Sequence, residues 1–105
     1  MIIETGKGKL PVRYGWNALA KFGDLTGKSM DDVMGLDLTK MSVTDILTFI
    51  FVGFTEGARK DGEECKVKSI DEVGDMIDED PSVISKVMEA FAVMSKSDEE
   101  GDKKK

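Results

Sequence analysis

Apolar residues recur at three- to four-residue spacing along most of this chain, which is the pattern of helices that bury one face. A first helix is predicted from about Trp16 to Thr26, and Gly27 is placed to end it in a left-handed conformation. The last helix, which follows Pro81, has the most regular apolar stripe, formed by Ile84, Val87, Met88, Phe91 and Met94. The chain is therefore expected to build its core mainly from helices.

Serine residues that precede an acidic residue by three positions mark the beginnings of three further helices. In a capping box, the serine side chain accepts a hydrogen bond from the backbone N–H three residues later. The acidic side chain at that later position accepts one from the backbone N–H of the serine. Ser29 opens a single predicted turn that Gly35 closes, and Ser42 opens the most apolar helix. Ser69 has a full capping box and begins a short helix to about Glu79.

The most apolar helix, predicted from about Val43 to Arg59, carries apolar residues on two faces. A helical wheel places five of them on one broad face, namely Ile46, Leu47, Ile50, Phe51 and Phe54. Phe49 and Val52 project from the other side. Such a helix is either central in the fold or buried against another subunit. We therefore expect Phe49 and Val52 to contact another helix or a second subunit.

Two short extended runs at the N-terminus flank the sequence Thr-Gly-Lys-Gly at residues 5–8, which predicts a β-hairpin. The fold class is accordingly α+β, mainly α, with a small N-terminal β-hairpin followed by about four to five helices. Residues 1–95 form a single domain. Residues 96–105 contain no apolar side chain, so they are predicted to be a disordered charged tail.

The chain of 105 residues is acidic, with a formal net charge of −6 that is unevenly distributed. Residues 1–28 carry a net charge of +3, residues 29–59 carry −3, and residues 60–105 carry −6. An acidic protein is repelled by nucleic acid phosphates, so nucleic acid binding is not expected. The uneven distribution suits head-to-tail self-association or capture of a basic partner segment, although it is also explained by solubility alone.

The apolar runs, the N-terminal sequence and the cysteine content predict a cytoplasmic protein. No apolar run approaches the roughly 18 residues that a membrane helix needs, and the N-terminus lacks the pattern of a secretory signal. Cys65 is the single cysteine and cannot form an internal disulfide, which suits a reducing compartment. The chain contains no histidine to activate this thiol, so we interpret Cys65 as an exposed thiol without a catalytic role.

Two patterns resemble ligand-binding motifs but fail on spacing. Gly27 begins a Gly-Lys-Ser sequence like the end of a phosphate-binding loop, yet the first glycine of that motif would fall at Phe22. The acidic run between Asp71 and Asp80 lacks the glycine and the spacing of a calcium loop. We interpret this run as a solvated helix face, with a docking surface for a basic partner as the alternative. We expect no catalytic residues, metal or cofactor.

The stretch from residue 10 to 32 resembles a known family. The sequence PVRYG at residues 11–15 leads into a helix with Asn17, Ala18 and Leu19, and FxxLTGKS follows at residues 22–29. This arrangement is similar to the start of the small tail assembly chaperones of long-tailed bacteriophages. The resemblance implies a non-enzymatic protein that binds the tape-measure protein and keeps it soluble while the tail tube polymerises. It also implies absence from the mature virion.

Further partners and one alternative function are also expected. The major tail protein is a second expected partner, and self-association is a third. The alternative function is a small structural connector of a phage tail or virion, which would be retained in the particle. A chaperone needs exposed apolar groups on a well-charged body.

Seven residues are candidates for protein interaction: Phe49, Val52, Met30, Met34, Met41, Arg13 and Trp16. The three methionines flank the short turn near the middle of the chain, where flexible side chains can form an adaptable surface. Filling of the core is the alternative role for them. Arg13 and Trp16 belong to the residue types that dominate interface hot spots. The alternative for Trp16 is that it packs the hairpin onto the helices.

Overall fold

The computed structural model describes the backbone of residues 2–35 and 40–103, and the side chains of these residues except Met30, Met34 and 94–103. Two strands precede five helices in the described chain: β1 Ile2–Thr5, β2 Gly8–Pro11, α1 Trp16–Thr26, α2 Met30–Met34, α3 Val43–Asp61, α4 Ile70–Glu79 and α5 Ser82–Lys103. The predicted α+β, mainly α fold with an N-terminal hairpin is confirmed.

The two strands form the predicted antiparallel hairpin, in which Ile3 lies opposite Leu10. Both of these side chains are buried in the core, so the hairpin presents one apolar face to the helices. The turn is fixed by Thr5, whose hydroxyl donates to the carbonyl of Gly8 over 2.9 Å. Gly8 has a φ of 100°, which favours glycine at this position.

The local signals that end and begin helices act largely as predicted. Gly27 ends α1 with a φ of 74°, and Ser29 forms a reciprocal capping box with Asp32 at the start of α2. Ser42 accepts a hydrogen bond from the backbone N–H of Asp45 and caps α3. The predicted end of α3 at Arg59 is two residues too early, because Gly62 supplies the left-handed C-cap with a φ of 71°.

The predicted full capping box at Ser69 is only half formed. Ser69 accepts from the backbone N–H of Glu72 over 3.2 Å, as expected. The carboxylate of Glu72, however, accepts from the N–H of Lys68 and not from that of Ser69. Glu72 also forms a salt bridge with Lys7 of the hairpin turn. The side chain of Glu72 therefore makes a tertiary contact as well as a local one.

Helix α3 is central, and α1, strand β2, α4 and α5 all contact it. Phe49, Ile50, Val52 and Phe54 are all buried along its length. A helix with apolar residues on two faces was expected to be either central in the fold or buried against another subunit, and α3 is central. The expected contact of Phe49 with another helix is confirmed, since its ring meets those of Phe22 in α1 and Phe91 in α5. The face that was expected to form the core is only partly buried, because Ile46, Leu47 and Phe51 are half-buried.

Two glycines in α3 allow the chain before α1 to cross the helix at very short range. A Cβ at Gly53 would collide with the ring of Tyr14, and one at Gly57 would collide with the carbonyl of Pro11. The backbone N–H of Arg13 donates to the carbonyl of Gly53 over 3.0 Å. The segment between β2 and α1 is therefore fixed against α3 by backbone contact as well as by side-chain packing.

Four aromatic rings join the N-terminal segment to three helices. The ring of Tyr14 stacks on that of Phe49 at a centroid distance of 4.4 Å. Phe91 of α5 meets both of these rings edge-on, at 5.5 Å and 5.1 Å. Phe22 of α1 approaches Phe49 edge-on at 5.4 Å. Edge-on and offset ring contacts add to the stabilisation that burial provides, so this cluster is the main link between elements.

Helix α5 begins as predicted but continues further along the chain. Asp80 accepts hydrogen bonds from the backbone N–H and the hydroxyl of Ser82, at 3.1 Å and 2.6 Å. The helix was expected to end near Met94, yet its backbone continues to Lys103. The added stretch has no proline, and its only glycine is Gly101, so no local signal stops the helix earlier. Independence of residues 96–105 from the core stays a prediction.

Candidate protein-interaction surface

The segment from strand β2 to helix α1 alternates between buried and exposed side chains. Val12 and Tyr14 point into the core, whereas Arg13 is exposed. Tyr14 is held there by a hydrogen bond from its hydroxyl to the carbonyl of Phe49, over 2.8 Å. Burial raises the pKa of Tyr14 well above its ordinary value, so this hydroxyl remains a donor. The alternation thus brings Arg13 to the surface directly before the helix.

Trp16, the first residue of α1, is 67% exposed. Its predicted alternative role, packing the hairpin onto the helices, is wrong because Tyr14 already occupies that position against Phe49 and Phe91. The inner face of α1 is formed instead by Ala18 and Phe22. A large aromatic side chain is therefore presented to solvent on a backbone that Tyr14 holds rigidly in place.

Arg13 lies beside the start of α1. Its Nε atom is 3.7 Å from the position that a Cβ would occupy at Gly15. Among the described residues, the side chain of Arg13 forms no salt bridge. Asn17 and Ala20 are also exposed in the first turns of the helix. We call the surface formed by Arg13, Trp16, Asn17 and Ala20 the Trp16 surface.

Most other basic residues near the N-terminus are already paired. Lys7 contacts Glu72 at 3.3 Å, and Lys28 contacts Asp45 at 3.4 Å. Lys21 pairs with Glu56. These contacts pair three of the five basic residues in residues 1–28. Among the described residues, Lys9 and Arg13 form no salt bridge, and Arg13 lies beside the exposed tryptophan.

The other predicted interaction residues are not brought into this surface. Phe49 and Val52 are 2% and 1% exposed, so their prediction as exposed client-binding groups is wrong. Phe49 is covered by the rings of Tyr14, Phe22 and Phe91. Met41 is half-buried against the core. The side chains of Met30 and Met34 lie outside the described residues.

Glu56 is a charged residue that the sequence analysis did not single out. It is only 1% exposed within α3, where Lys21 of α1 and Arg59 donate to its carboxylate. Burial alone would raise the pKa of Glu56, but the hydrogen bonds and charges of Arg59 and Lys21 outweigh it and hold the pKa below its ordinary value. Glu56 is therefore a buried carboxylate with two cationic partners, and its contact with Lys21 links α1 to α3.

Cys65 lies beside a small depression in the surface. This depression, between Leu10 and Val67, has a cavity volume of about 10 Å³, which is room for about one water molecule. Cys65 lies at its edge and is half-buried, not exposed as predicted, and its thiol donates to the carbonyl of Val67 over 3.0 Å. The described residues include no group of three or more acidic or cysteine side chains that could hold a metal.

Other sequence motifs have ordinary structural roles. The Gly-Lys-Ser sequence that begins at Gly27 follows helix α1 and not a strand, which is inconsistent with a phosphate-binding loop. The acidic residues of α4 lie on its exposed side, as predicted: Asp71, Asp75, Asp78 and Glu79. None of the helices in the described residues combines the length and apolar composition that a membrane crossing requires.

Comparison with known proteins gives no family assignment. No protein-family model, curated protein or solved structure matches the chain. The resemblance to tail assembly chaperones therefore depends on the sequence motifs alone.

Proposed function

We propose that this protein is a phage tail assembly chaperone that binds the tape-measure protein. In this role it keeps an extended, aggregation-prone client soluble in the bacterial cytoplasm and leaves before the virion is complete. The proposal combines the sequence resemblance with the exposure of Trp16, a residue at which this chain departs from the family's usual pattern.

The observation that carries the proposal is the exposure of Trp16 at 67%. A tryptophan in solvent provides no packing for the domain, yet it is the residue type that contributes most at protein interfaces. Its backbone is held in place by the contacts of Tyr14 and Arg13 with α3. Because these contacts hold the backbone beside Trp16 against α3, we expect little additional backbone ordering when a partner binds.

The remainder of the surface suits a protein that must keep a complex in solution. The formal net charge is −6, and the outer side of α4 is a row of exposed carboxylates. A strong net charge opposes self-aggregation of the complex when apolar segments of the client are bound nearby. The acidic body and the exposed Trp16 therefore have complementary roles.

Co-expression with the client tests this proposal. The probe is the tape-measure protein encoded in the same viral genome, produced alone or together with this chain. We expect the soluble fraction of the tape-measure protein to rise several-fold on co-expression, and the two proteins to purify together. An unchanged soluble fraction, or a genome that encodes no tape-measure protein, would overturn the proposal.

The composition of the finished particle is the second part of the test. Purified virions should contain no detectable copy of this chain, whereas lysates from the assembly period should contain it. The same lysates allow the major tail protein to be tested as a second partner by co-purification. Retention of the chain in virions at a fixed ratio to the tail subunits would identify it instead as a structural connector.

A further inference from the structure

We propose that the Trp16 surface binds an acidic, amphipathic helical segment of its partner. This inference depends on the proposed function only for the identity of the partner, the tape-measure protein. Its physical basis is the combination of an exposed apolar group with a locally positive charge on a protein whose net charge is negative.

The local charge comes first from Arg13, which has no salt-bridge partner among the described residues. The start of α1 adds to it, because the first turn contains no acidic residue and Gly15 provides no side-chain cap. The free N–H groups at a helix start carry a partial positive charge. The start of α1 therefore adds to the positive charge of Arg13, and Trp16 provides the apolar contact.

Among the described residues, no carboxylate forms a salt bridge with Arg13. Glu4 lies opposite Lys9 in the hairpin, so this pair adds no net charge to the region. Asp24 lies eight residues after Trp16 on α1, a helical rise of about 12 Å. This separation exceeds the screening length of roughly 8 Å at physiological ionic strength. Glu56, the nearest buried carboxylate on α3, is already neutralised by Lys21 and Arg59.

The shape of the surface favours a helix over an irregular segment. Ala20 is exposed one helical turn after Trp16, so a small side chain lies beside a large one on α1. A partner helix can approach the backbone closely at Ala20 while one of its apolar residues covers Trp16. Acidic residues on the flank of that helix would then lie near Arg13. Such an arrangement satisfies both the apolar and the charged groups of the Trp16 surface.

Two designed peptides distinguish this arrangement from nonspecific attraction. They share one apolar helical face and lack tryptophan, and the remaining positions are mainly glutamate in one peptide and mainly lysine in the other. Because Trp16 is the single tryptophan of the chain, its fluorescence reports directly on the Trp16 surface. General attraction to a protein of net charge −6 favours the lysine peptide, whereas the proposal favours the glutamate peptide.

We expect the glutamate peptide to shift the emission of Trp16 to shorter wavelength at low ionic strength. It should also bind about tenfold more tightly than the lysine peptide, with an advantage that declines as salt is added. Arg13→Glu should abolish or reverse this preference. Lys60→Glu is the matched control, since it makes the same change in net charge at an exposed position near the far end of α3. Circular dichroism establishes that both variants remain folded.

Three results would overturn the proposal. The first is equal or tighter binding of the lysine peptide, and the second is an equal effect of Arg13→Glu and Lys60→Glu. The third is evidence that another occupant covers Trp16. A blue shift that grows with protein concentration in the absence of peptide would indicate a second copy. Tighter peptide binding after deletion of residues 96–105 would indicate that the acidic end of the chain itself covers Trp16.

The outcomes for the peptide and for the client remain separable. If the peptide preference fails while solubility of the tape-measure protein still depends on Trp16, the proposed function is retained and the acidic chemistry is wrong. If the glutamate peptide binds as expected but the tape-measure protein is not solubilised, the surface is a binding site for a different partner.

Discussion

Tyr14 and Phe49 are joined by two interactions, a stacked ring pair and a hydrogen bond. Their ring planes are 9° apart, with centroids separated by 4.4 Å, and the Tyr14 hydroxyl donates to the carbonyl of Phe49 over 2.8 Å. Because Phe49 lies in the central helix, this pair fixes the segment that precedes Trp16 against the core. The presentation of Trp16 at the surface therefore depends on a buried contact two residues earlier.

Replacement of Tyr14 with phenylalanine should cost about 1 kcal/mol of unfolding free energy. The ring contacts with Phe49 and Phe91 are kept, and only the hydroxyl is lost. Urea unfolding followed by far-ultraviolet circular dichroism measures this change. Tyr14→Ala, which also removes the ring, should cost about 3–5 kcal/mol. Equal costs for the two variants would show that the ring contributes nothing beyond the hydrogen bond, contrary to the packing described above.

Gly57→Ala should be among the most destabilising single-methyl additions to this chain. A Cβ at Gly57 would collide with the carbonyl of Pro11, and backbone atoms cannot move away as a flexible side chain can. We expect a loss of about 1–3 kcal/mol or more. Gly74→Ala is the matched control, since its Cβ would lie 3.8 Å from the nearest atom, Cδ1 of Leu47. Because Gly74 lies inside α4, alanine there should stabilise the protein by about 0.5–1 kcal/mol.

Thermal unfolding of the two glycine variants provides the comparison. The order of stability should be Gly74→Ala, then the parent chain, then Gly57→Ala. If Gly57→Ala matched or exceeded the stability of the parent chain, the close crossing of Pro11 over α3 would be disproved.

Glu56 should contribute to the pH dependence of stability. Its pKa is lowered in the folded protein, so the folded state binds its proton less readily than the unfolded state does. The stabilisation is therefore present above the ordinary carboxyl pKa of about 4.3 and is lost as the pH falls through the lowered value. Glu56→Gln should cost about 1–3 kcal/mol at neutral pH and should reduce the loss of stability in acid.

Urea unfolding from pH 7 down to pH 3 measures this difference between the parent chain and Glu56→Gln. Glu72 and Asp80, whose pKa values are also lowered by hydrogen bonds, remain in both proteins and preserve part of the acid sensitivity. Parallel stability curves over the whole range would mean that the carboxylate of Glu56 has the same pKa in the folded and unfolded states.

Deletion of residues 96–105 should leave the thermal midpoint unchanged within about one or two degrees. The segment contains no apolar side chain, so it can contribute little to a core even where its backbone is helical. Scanning calorimetry of the full and the shortened chain provides the measurement. A decrease of many degrees would indicate that this end of the chain docks on the domain.

Local features of the sequence were sufficient to predict where most helices begin and end. Ser29, Ser42 and Gly27 act through hydrogen bonds and backbone angles within a few residues, so neighbouring elements hardly influence them. Capping by Ser69 was only partly predicted, because Glu72 also meets Lys7 from the distant hairpin. The fold class followed from such local signals together with apolar periodicity.

Burial of individual side chains was less predictable because it depends on which elements meet. Phe49 was a candidate for binding a client at the surface, and packing of the hairpin onto the helices was the alternative role of Trp16. Both are wrong, because the buried Tyr14 stacks on Phe49 and Trp16 is exposed. A usable signal was present in Gly53 and Gly57. Two glycines four residues apart in an apolar helix indicate that another backbone crosses closely on that side.

Direct contact between Trp16 and the client is tested by substitution of this residue. Leu25 provides the matched control, because it lies on the same helix and is also well exposed, at 59%. The measurement is the soluble fraction of the tape-measure protein on co-expression with the parent chain, with Trp16→Ala or with Leu25→Ala. We predict that Trp16→Ala, while folded, loses most of the solubilising effect and that Leu25→Ala retains it. Full solubilisation by Trp16→Ala, or an equal loss in both variants, would contradict the claim.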